Sequence, residues 1–503
     1  MENVFEVKVN GKESLKTTGD IYQNRKMMVM AAEAGNMVQS KVTVWIQSYN
    51  QLDKVRQCVD SVLKYTKDVD FDMILVDNGS EDGTIEFFKN VEFEKKRIVR
   101  VEKNISGGFP YSAIPLNWIS SYIVCLPADM IVTRNWLSNM LKVMESDCRI
   151  GMVNPVCSHV SNLQGVDLKF STFDEMQEKA EKFNQSDPTK WQERIRIVTL
   201  AQLFRKECLY AIGWPFSDIG FIHDFGDDDI AFRIRRAGYK VVLAGDTWVC
   251  HNHPESDRVT DYHIERLQGG RENFKQKYHG VDAWDDVNNF IFTIIGSKIK
   301  NVDKNKVNIL GVDVKCGTPI LDVKNMIRRY GIWDAELSAF TQEERYITDL
   351  QSICDGKLIC DREEYLYDCF IRNSFDYIIV DREINRYHEP IKVISSLYEF
   401  LKPGGQLLFK LKNAYNIFSL LQITGLSNDY DAAFCVNYPK EVFCKTIQQW
   451  GLNIECIAME GLRVGADVND LIKRFVDAFV PENKKSEMRA NMIINNYWFS
   501  IEK

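Results

Sequence analysis

The chain has 503 residues, of which 45% are apolar, and it carries a formal net charge of −8 at pH 7. A chain of this length exceeds one ordinary hydrophobic core, so we expect two or three domains. The Lys and Arg residues are interspersed with acids, which argues against a nucleic-acid partner. No apolar stretch approaches the length of a bilayer crossing and the N-terminus lacks a signal-peptide core, so we expect no transmembrane anchoring.

The cysteine pattern indicates a reducing compartment. The chain contains 13 cysteines, mostly inside apolar runs and never as a CxxC pair. Such residues behave as small buried hydrophobes. We therefore expect a cytoplasmic protein, while nothing in the sequence indicates its oligomeric state.

Strand and helix patterns alternate through the first half of the chain. Residues 1–40 are weakly patterned and are predicted to form an N-terminal arm. From residue 41 onward, short apolar runs end in polar turns, and each turn leads into a helical pattern. The turns contain Gln47, Tyr49, Asp77, Gly107, Gly108 and Asp129. This alternation predicts a parallel sheet covered by helices, with ligands bound at the carboxyl ends of its strands.

A triple acid begins a later predicted helix. Asp227, Asp228 and Asp229 precede apolar residues at helical spacing, and His251 and His253 lie just past the apolar strand that follows. Carboxylates and imidazoles suit a site that needs a general base and a divalent metal. Acids in a first helical turn are also favoured by capping and by the helix dipole, so both interpretations stay open at this point.

Six segments, in register over residues 42 to about 255, resemble the catalytic domain of the family 2 glycosyltransferases. They read VWIQSYNQLDKVRQCVDSV, ILVDNGSEDGT, NISGGF, YIVCLPADMIVTRNWL, LFRKECLYAIGW and FGDDDIAFRIRRAGYKV. The resemblance implies an α/β nucleotide-diphospho-sugar transferase fold of the A type over residues 41–255, with a helical extension and linker at 256–306. It also implies inverting transfer from a nucleotide diphosphate sugar, for which we expect a UDP-sugar.

The same resemblance assigns the donor-binding residues. It implies that Gln47, Tyr49 and Asp77 line the nucleobase and ribose pocket. Gly107 and Gly108 fall in the donor loop that follows. In ILVDNGSEDGT, an acid and two glycines at the carboxyl end of a strand can bond a base or ribose while the backbone approaches the ligand closely.

The resemblance further implies a metal site. Asp129 matches the second acid of the family's DxD motif and serves both donor and metal, while Pro127 stands in the place of the first acid. His251 matches the family's histidine after the last core strand, and His253 could replace it. We therefore expect a divalent metal, Mn²⁺ or Mg²⁺, that screens the diphosphate charge.

The catalytic base is also assigned by resemblance. Where the family has a Glu-Asp pair before this helix, the chain has Gly226 and Asp227, so Asp227 matches the base. Asp228 and Asp229 remain competitors. A base is required because the attacking hydroxyl must lose its proton as the new bond forms.

Residues 307–503 resemble a class I methyltransferase, on the segments GVDVKCGTP, FDYIIVD and LKPGGQLLFKLKN. This implies a Rossmann-like, doubly wound domain. However, Lys315 and Pro319 replace glycines of the cofactor loop, and no acid near Phe340 aligns with the ribose-binding position. We therefore expect a non-catalytic module that does not bind S-adenosylmethionine, with Asp313 keeping an active methyltransferase as the alternative.

The acceptor is the least determined feature. Family 2 transferases beside methyltransferase-like domains resemble bacterial enzymes that glycosylate flagellin or build surface polysaccharides. Because the sequence has no membrane anchor, we favour a soluble acceptor, a protein hydroxyl such as that of flagellin, ahead of a glycan chain. The remaining alternatives are a bifunctional glycosyltransferase and methyltransferase, and a nucleotide-independent binding protein that keeps only the fold.

Overall fold

The chain forms two compact units, Met1–Asn288 and Asn289–Lys503. The computed structural model describes residues 4–7, 40–105, 114–214, 216–218, 220–221, 224–252, 261–300, 305–423 and 438–503. The boundary falls inside the segment 256–306, for which the sequence predicts an extension and linker. Most of the arm predicted for residues 1–40, together with Gly107, Gly108 and His253, lies outside the described residues.

The first unit alternates strands and helices. Its strands are β1 Val4–Val7, β2 Val42–Ser48, β3 Phe71–Asp77, β4 Lys96–Val101, β5 Tyr122–Pro127, β6 Met130–Ile131, β7 Ile150–Cys157, β8 Trp191–Glu193, β9 Gln202–Arg205 and β10 Lys240–His251. Its helices are α1 Leu52–Tyr65, α2 Thr84–Asn90, α3 Trp136–Ser146, α4 Phe173–Phe183, α5 Lys206–Ile212, α6 Gly226–Arg236 and α7 Asp261–Lys277.

One mixed sheet organises the first unit, with the strand order β1-β4-β3-β2-β5-β9-β7-β10-β6 and β8 paired to β10. Strands β1 to β5 pair in parallel, whereas β9 is antiparallel to both β5 and β7. The chain order reverses on either side of β2, whose neighbours are β3 and β5. In sheets of this kind, such a reversal opens a crevice at the carboxyl ends of the strands.

Apolar residues on both faces explain why β2 lies at the centre of this sheet. Val44 and Ile46 belong to the core cluster on one face, and Trp45 belongs to the cluster on the other. A strand buried on both faces reads as a continuous apolar run, as this one does. The sequence placed His251 just past the strand after the triple acid, but the strand continues through it, because β10 pairs with β6 as far as His251.

The second unit repeats the strand and helix alternation. Its strands are β11 Lys306–Val312, β12 Asp334–Thr341, β13 Leu358–Cys360, β14 Phe375–Val380, β15 Leu401–Lys412, β16 Ile454–Gly461 and β17 Ile494–Glu502. Its helices are α8 Phe292–Ile295, α9 Thr318–Arg328, α10 Ile347–Gln351, α11 Glu363–Leu366, α12 Pro390–Phe400, α13 Ile417–Ile423, α14 Lys440–Gln449, α15 Ala466–Phe479 and α16 Lys485–Met492.

The second sheet has the order β13-β12-β11-β14-β15-β17-β16. It is parallel except for β17, which runs antiparallel to its two neighbours. Strand β15 begins at Leu401 and so contains the LKPGG that opens the third methyltransferase-like segment. Within the described residues, no helix is both long and apolar enough to cross a bilayer.

Candidate active site

The strand ends predicted to bind the donor lie at one edge of the first sheet. The register pairs Ser48 with Asp77 across β2 and β3, and Gln47 with Pro127 across β2 and β5. Gln47, Asp77 and the turn that contains Asp129 are therefore neighbours at the point where the chain order reverses. Tyr49, just past β2, is 47% exposed. This register agrees with the sequence prediction that the turns containing Gln47, Asp77 and Asp129 lie at one edge of the sheet.

Asp77 is fully buried, and its carboxylate organises the loop that follows β3. Its Oδ1 accepts a hydrogen bond from the Ser80 backbone N–H at 2.9 Å, and its Oδ2 forms an ion pair with Arg100. Sequence reasoning did not identify Arg100, which lies one strand away on β4. Each carboxylate oxygen has a second lone pair, so Asp77 can still accept a hydrogen bond from a ligand.

Gly79 permits a close approach within the same loop. Its φ is +84°, and a Cβ there would lie 2.6 Å from the Asn104 backbone nitrogen. The side chain of Asn78 strengthens the contact between the loops after β3 and β4. It donates a hydrogen bond to Asn104 Oδ1 at 3.0 Å and accepts one from the Ile105 N–H at 3.1 Å. The loop after β3 is therefore held against the loop after β4, which leads toward the glycines predicted for donor binding.

Asp129 and His251 meet on the short antiparallel pair of β6 and β10. Asp129 Oδ2 lies 3.4 Å from His251 Nε2. Burial acts to raise the pKa of Asp129, but the hydrogen bond and charge of His251, together with the charge of Lys54 and a backbone hydrogen bond, lower that pKa below its usual value. His251 Nδ1 lies 3.2 Å from the His159 carbonyl oxygen, so the protonated Nδ1 donates there and leaves Nε2 facing the carboxylate.

These two side chains are suited to serve as two of the ligands of a divalent cation. Asp129 Oδ1 is buried and has no hydrogen-bond partner in the described part of the chain. Carboxylate oxygen and imidazole nitrogen are ligands that Mn²⁺ accepts, and Mg²⁺ also accepts the carboxylate. Among the described residues, no group of three or more His, Cys, Asp or Glu side chains gathers, and phosphate oxygens and water can complete the coordination of such an ion.

The three acids at the start of α6 have different surroundings. The helix begins after Phe225, whose φ is +66°. Asp229 is fully buried and contacts Arg233 at 2.8 Å, the Tyr278 hydroxyl at 2.6 Å, and Lys277. Its charge is thus compensated inside the fold, and its surroundings give it a structural role.

Asp228 is also buried, and Arg196 Nε lies 2.5 Å from its Oδ1. Burial raises the pKa of Asp228 to about 8, Asp227 adds to the rise, and the Arg196 charge opposes it. The Arg196 side chain is itself only 8% exposed, so the pair is largely removed from water. Arg196 was not singled out in the sequence; its signal is a pattern of alternating Arg and Ile at residues 194–197.

Asp227 is partly exposed and accepts hydrogen bonds from two backbone N–H groups, those of Asp228 at 3.1 Å and Thr199 at 3.4 Å. It lines an open cleft with a volume of about 380 Å³. The cleft is lined by Ser161, Asn162, Arg196, Val198, Asp224, Phe225, Asp227, Asp228, Leu267, Trp284 and Asn288. Of its three carboxylates, Asp224 pairs with Arg266 and Asp228 with Arg196, while Asp227 has no cationic partner among the described residues.

A loop after β7 connects this cleft to the Asp129 and His251 pair. Ser158 Oγ accepts from the His251 N–H at 3.0 Å, and Ser161 and Asn162, a few residues on, line the cleft. His159 and Asn162 both have positive φ, 51° and 61°. Non-glycine residues in this region carry backbone strain, which clusters at functional sites.

In the second unit, the strand-end groups are engaged by the chain itself. Asp313 accepts hydrogen bonds from the backbone and side-chain nitrogens of Gln342, both at 2.8 Å, and from the Tyr387 hydroxyl at 2.7 Å. Asn289 donates to Asp381 at 2.7 Å. The strand-end carboxylates of Asp313 and Asp381 therefore already have hydrogen-bond partners within the second unit.

Comparison with known proteins assigns the class of the first unit. The family model described as Glycosyl transferase family 2 matches residues 43–209, about a third of the chain. This segment is a glycosyltransferase domain of family 2, a family that uses nucleotide-sugar donors, and the protein is a glycosyltransferase. The predicted fold class is confirmed: an A-type transferase domain is followed by a methyltransferase-like doubly wound domain. A search of curated proteins finds no match.

Several solved structures are similar to parts of the chain. A mannosyltransferase from Pyrobaculum calidifontis, in complex with GDP-Man and Mn²⁺, is 16% identical with a TM-score of 0.36; the match covers 54% of this chain and 76% of that one. GalNAc-T7 is 14% identical with a TM-score of 0.36, and the match covers 47% of this chain and about half, 48%, of GalNAc-T7. A SAM-dependent methyltransferase from Archaeoglobus fulgidus is 14% identical with a TM-score of 0.29, with coverages of 46% and 98%.

Proposed function

We propose that the protein transfers a sugar from a UDP-sugar to an acceptor hydroxyl with inversion at the anomeric carbon, and that Asp227 is the base. The observation that carries this proposal is the environment of Asp227. It lines the cleft without a cationic partner among the described residues, whereas the two acids after it are paired. A carboxylate that faces a cleft and carries no compensating cation can accept a proton from a bound hydroxyl.

The proposed reaction is a single displacement. The acceptor oxygen attacks the anomeric carbon while the bond to the diphosphate breaks, and Asp227 takes the hydroxyl proton. Gln47, Tyr49 and Asp77 hold the nucleotide at the sheet edge, with Gly107 and Gly108 assigned to the same role. When bound, a divalent metal supplies positive charge beside the diphosphate; Asp129 and His251 would hold it, and His253 is the alternative ligand.

Two acceptor classes belong to this proposal. The sequence favours a protein hydroxyl, with bacterial flagellin as the example, because a family 2 transferase joined to a methyltransferase-like domain resembles enzymes of that kind. A glycan acceptor is the second class, and it is favoured by the aromatic and polar side chains that line the cleft. Transfer to a candidate flagellin can be tested by co-expression and intact-mass measurement, which would show a hexose- or N-acetylhexosamine-sized increment.

The second unit is proposed to bind and not to methylate. Support comes from the internal partners of Asp313 and Asp381, together with Lys315 and Pro319 in the loop after β11. A binding module linked to a transferase raises the local concentration of an acceptor without changing the chemistry.

Donor specificity provides the direct test of the proposed function. The protein is incubated with UDP-, GDP- and dTDP-sugars in the presence of Mn²⁺, and both donor hydrolysis and the thermal unfolding midpoint are measured. We expect slow hydrolysis and stabilisation with one UDP-sugar. If no nucleotide sugar is bound, the protein is instead a nucleotide-independent binding protein that keeps only the fold.

A further inference from the structure

The cleft beside Asp227 has one aromatic wall and one polar wall. Phe225 and Trp284 form the aromatic wall, with ring centroids 5.2 Å apart and planes inclined by 36°. Asn162, Arg196 and the acids provide the polar groups. A pocket with apolar surface and a few fixed polar groups is the usual form of a small-molecule site.

Trp284 is held in place by a network of its own. Arg271 stacks on the indole with its guanidinium carbon 5.1 Å from the ring centroid. Asp282 pairs with Arg271 at 2.8 Å and accepts a hydrogen bond from the backbone N–H of Trp284 at 2.9 Å. The side chain is only partly buried, and the surface that Phe225 and Arg271 leave uncovered lines the cleft. An aromatic residue fixed in this way presents apolar surface at little entropic cost.

We propose that this cleft binds a neutral pyranose of the acceptor, with Trp284 packing against its apolar face, so that the acceptor is a glycan. A pyranose has a C–H face for the indole and a rim of hydroxyls for several polar side chains at once. A Ser or Thr side chain offers a single hydroxyl and no comparable face. This inference rests on the proposed function, since it takes Asp227 as the base for one of those hydroxyls.

The environment of Asp227 disfavours an acidic sugar beside it. Three carboxylates, Asp224, Asp227 and Asp228, face the cleft together with one guanidinium, that of Arg196. Asp224 has Arg266 as its partner and Asp228 has Arg196, so the lining carboxylate without a cationic partner among the described residues is that of Asp227. A uronic or sialic acid would bring a like charge beside it, which is unfavourable where water is partly excluded. The ligand class is therefore a neutral hexose or N-acetylhexosamine.

The inference is tested on the full chain with UDP and Mn²⁺ present. Binding of methyl glycosides of glucose, galactose, mannose and N-acetylglucosamine, and of an acetylated Ser/Thr peptide, is measured by saturation-transfer NMR and by titration. We expect at least one glycoside to bind and Trp284→Leu to weaken that binding at least tenfold. Trp284→Phe should retain most of the affinity, because it keeps an aromatic face.

Tyr210→Leu is the matched control, since Tyr210 is 63% exposed and lies outside the cleft lining. It should leave glycoside binding unchanged. Binding of the peptide alone, or glycoside binding that Trp284→Leu does not weaken, overturns the inference. So does the absence of glycoside binding while UDP still binds. If the protein binds no nucleotide at all, the proposed function itself is wrong. This outcome is distinguishable from failure of the glycan-acceptor inference, in which UDP still binds.

Discussion

The Oδ2 atom of Asp129 lies 3.4 Å from Nε2 of His251, across a two-residue antiparallel pairing of β6 with β10. The pairing brings a carboxylate and an imidazole from distant parts of the sequence to the edge of the sheet that also carries Gln47 and Asp77. Asp129 Oδ1 is buried and lacks a partner in the described residues. This relationship underlies the first prediction, which concerns metal.

We expect Asp129→Ala to weaken binding of Mn²⁺ and of the nucleotide sugar together. In the proposed site Asp129 would hold the metal, and the metal would lie beside the diphosphate of the donor. Calorimetry measures the affinity of Mn²⁺ in the presence of UDP, and His251→Ala should lower it as well. Glu181→Ala is a suitable control, because its carboxylate is 46% exposed and its only described charged partner is Arg134. Unchanged Mn²⁺ affinity in both site variants would exclude these residues as ligands.

The second prediction concerns the base. Asp227→Asn preserves the shape of the side chain and removes its proton affinity, so transfer should fall on the order of a hundredfold or more. Affinity for UDP should remain close to that of the native protein. The measurement is kcat for transfer with donor and acceptor saturating.

The neighbouring acids supply the controls for that prediction. Asp229→Asn should lower stability, because it disrupts contacts with Arg233 and Lys277 within the fold. If Asp227→Asn stays active while Asp228→Asn is inactive, the base is Asp228 and the assignment by resemblance is shifted by one residue.

The third prediction is a pH dependence of stability. Burial raises the pKa of Asp228 to about 8, above the value of about 3.9 in an unfolded chain. Between these two values the folded state binds more protons than the unfolded state, so the free energy of unfolding should fall as pH rises. Asp228→Asn removes the titrating group, and its unfolding free energy should change less over the same range. Urea denaturation at several pH values measures the difference; equal slopes would contradict the prediction.

The fourth prediction separates backbone conformation from close contact in the donor loop. Gly79 and Gly83 have similar positive φ, +84° and +89°, but only at Gly79 would a Cβ meet backbone, 2.6 Å from the Asn104 nitrogen. Gly83→Ala should cost about 1–2 kcal/mol for the left-handed conformation alone. Gly79→Ala should cost more and should also weaken nucleotide binding, because the loop must move. Equal losses of stability and affinity in the two variants would show that the contact has no role.

The sheet edge could be predicted from sequence because its residues follow their strands directly. Asp77 and Asp129 come immediately after apolar runs, and parallel strands bring such positions to one edge. The distinct roles of the three acids could not be predicted in this way. Lys277 and Tyr278, which contact Asp229, come from the end of α7, and Arg196 comes from the segment after β8. These pairings depend on tertiary packing, which leaves no periodic signal.

The aromatic wall of the cleft was missed for a related reason. Trp284 lies in the polar segment that the sequence assigned to an extension and linker, and a single aromatic residue in such a segment is more often a packing contact. The structure includes it in the first unit and in the cleft lining. Its rigid support by Arg271 and Asp282 depends on the fold of residues 271–284, which composition does not reveal.

The last prediction concerns the second unit. We expect calorimetry to show no binding of S-adenosylmethionine at micromolar concentrations. Asp313, the acid that kept a methyltransferase as an alternative, accepts three hydrogen bonds from Gln342 and Tyr387. Burial and the neighbouring Asp313 hold the pKa of Tyr387 well above its usual value, so its hydroxyl stays protonated and keeps donating at physiological pH. A ribose that took the place of Tyr387 at Asp313 would break a buried hydrogen bond, which is costly to leave unmade.

Truncation tests the binding role of this unit, with a chain that ends after Asn288, where the two units divide. If donor hydrolysis persists and transfer to a macromolecular acceptor falls, the second unit recognises the acceptor. If both activities persist unchanged, the binding proposal is wrong. Micromolar binding of S-adenosylmethionine to the full chain would instead indicate a bifunctional protein. The hydrogen bonds that Asp313 accepts would then have to rearrange when the cofactor binds.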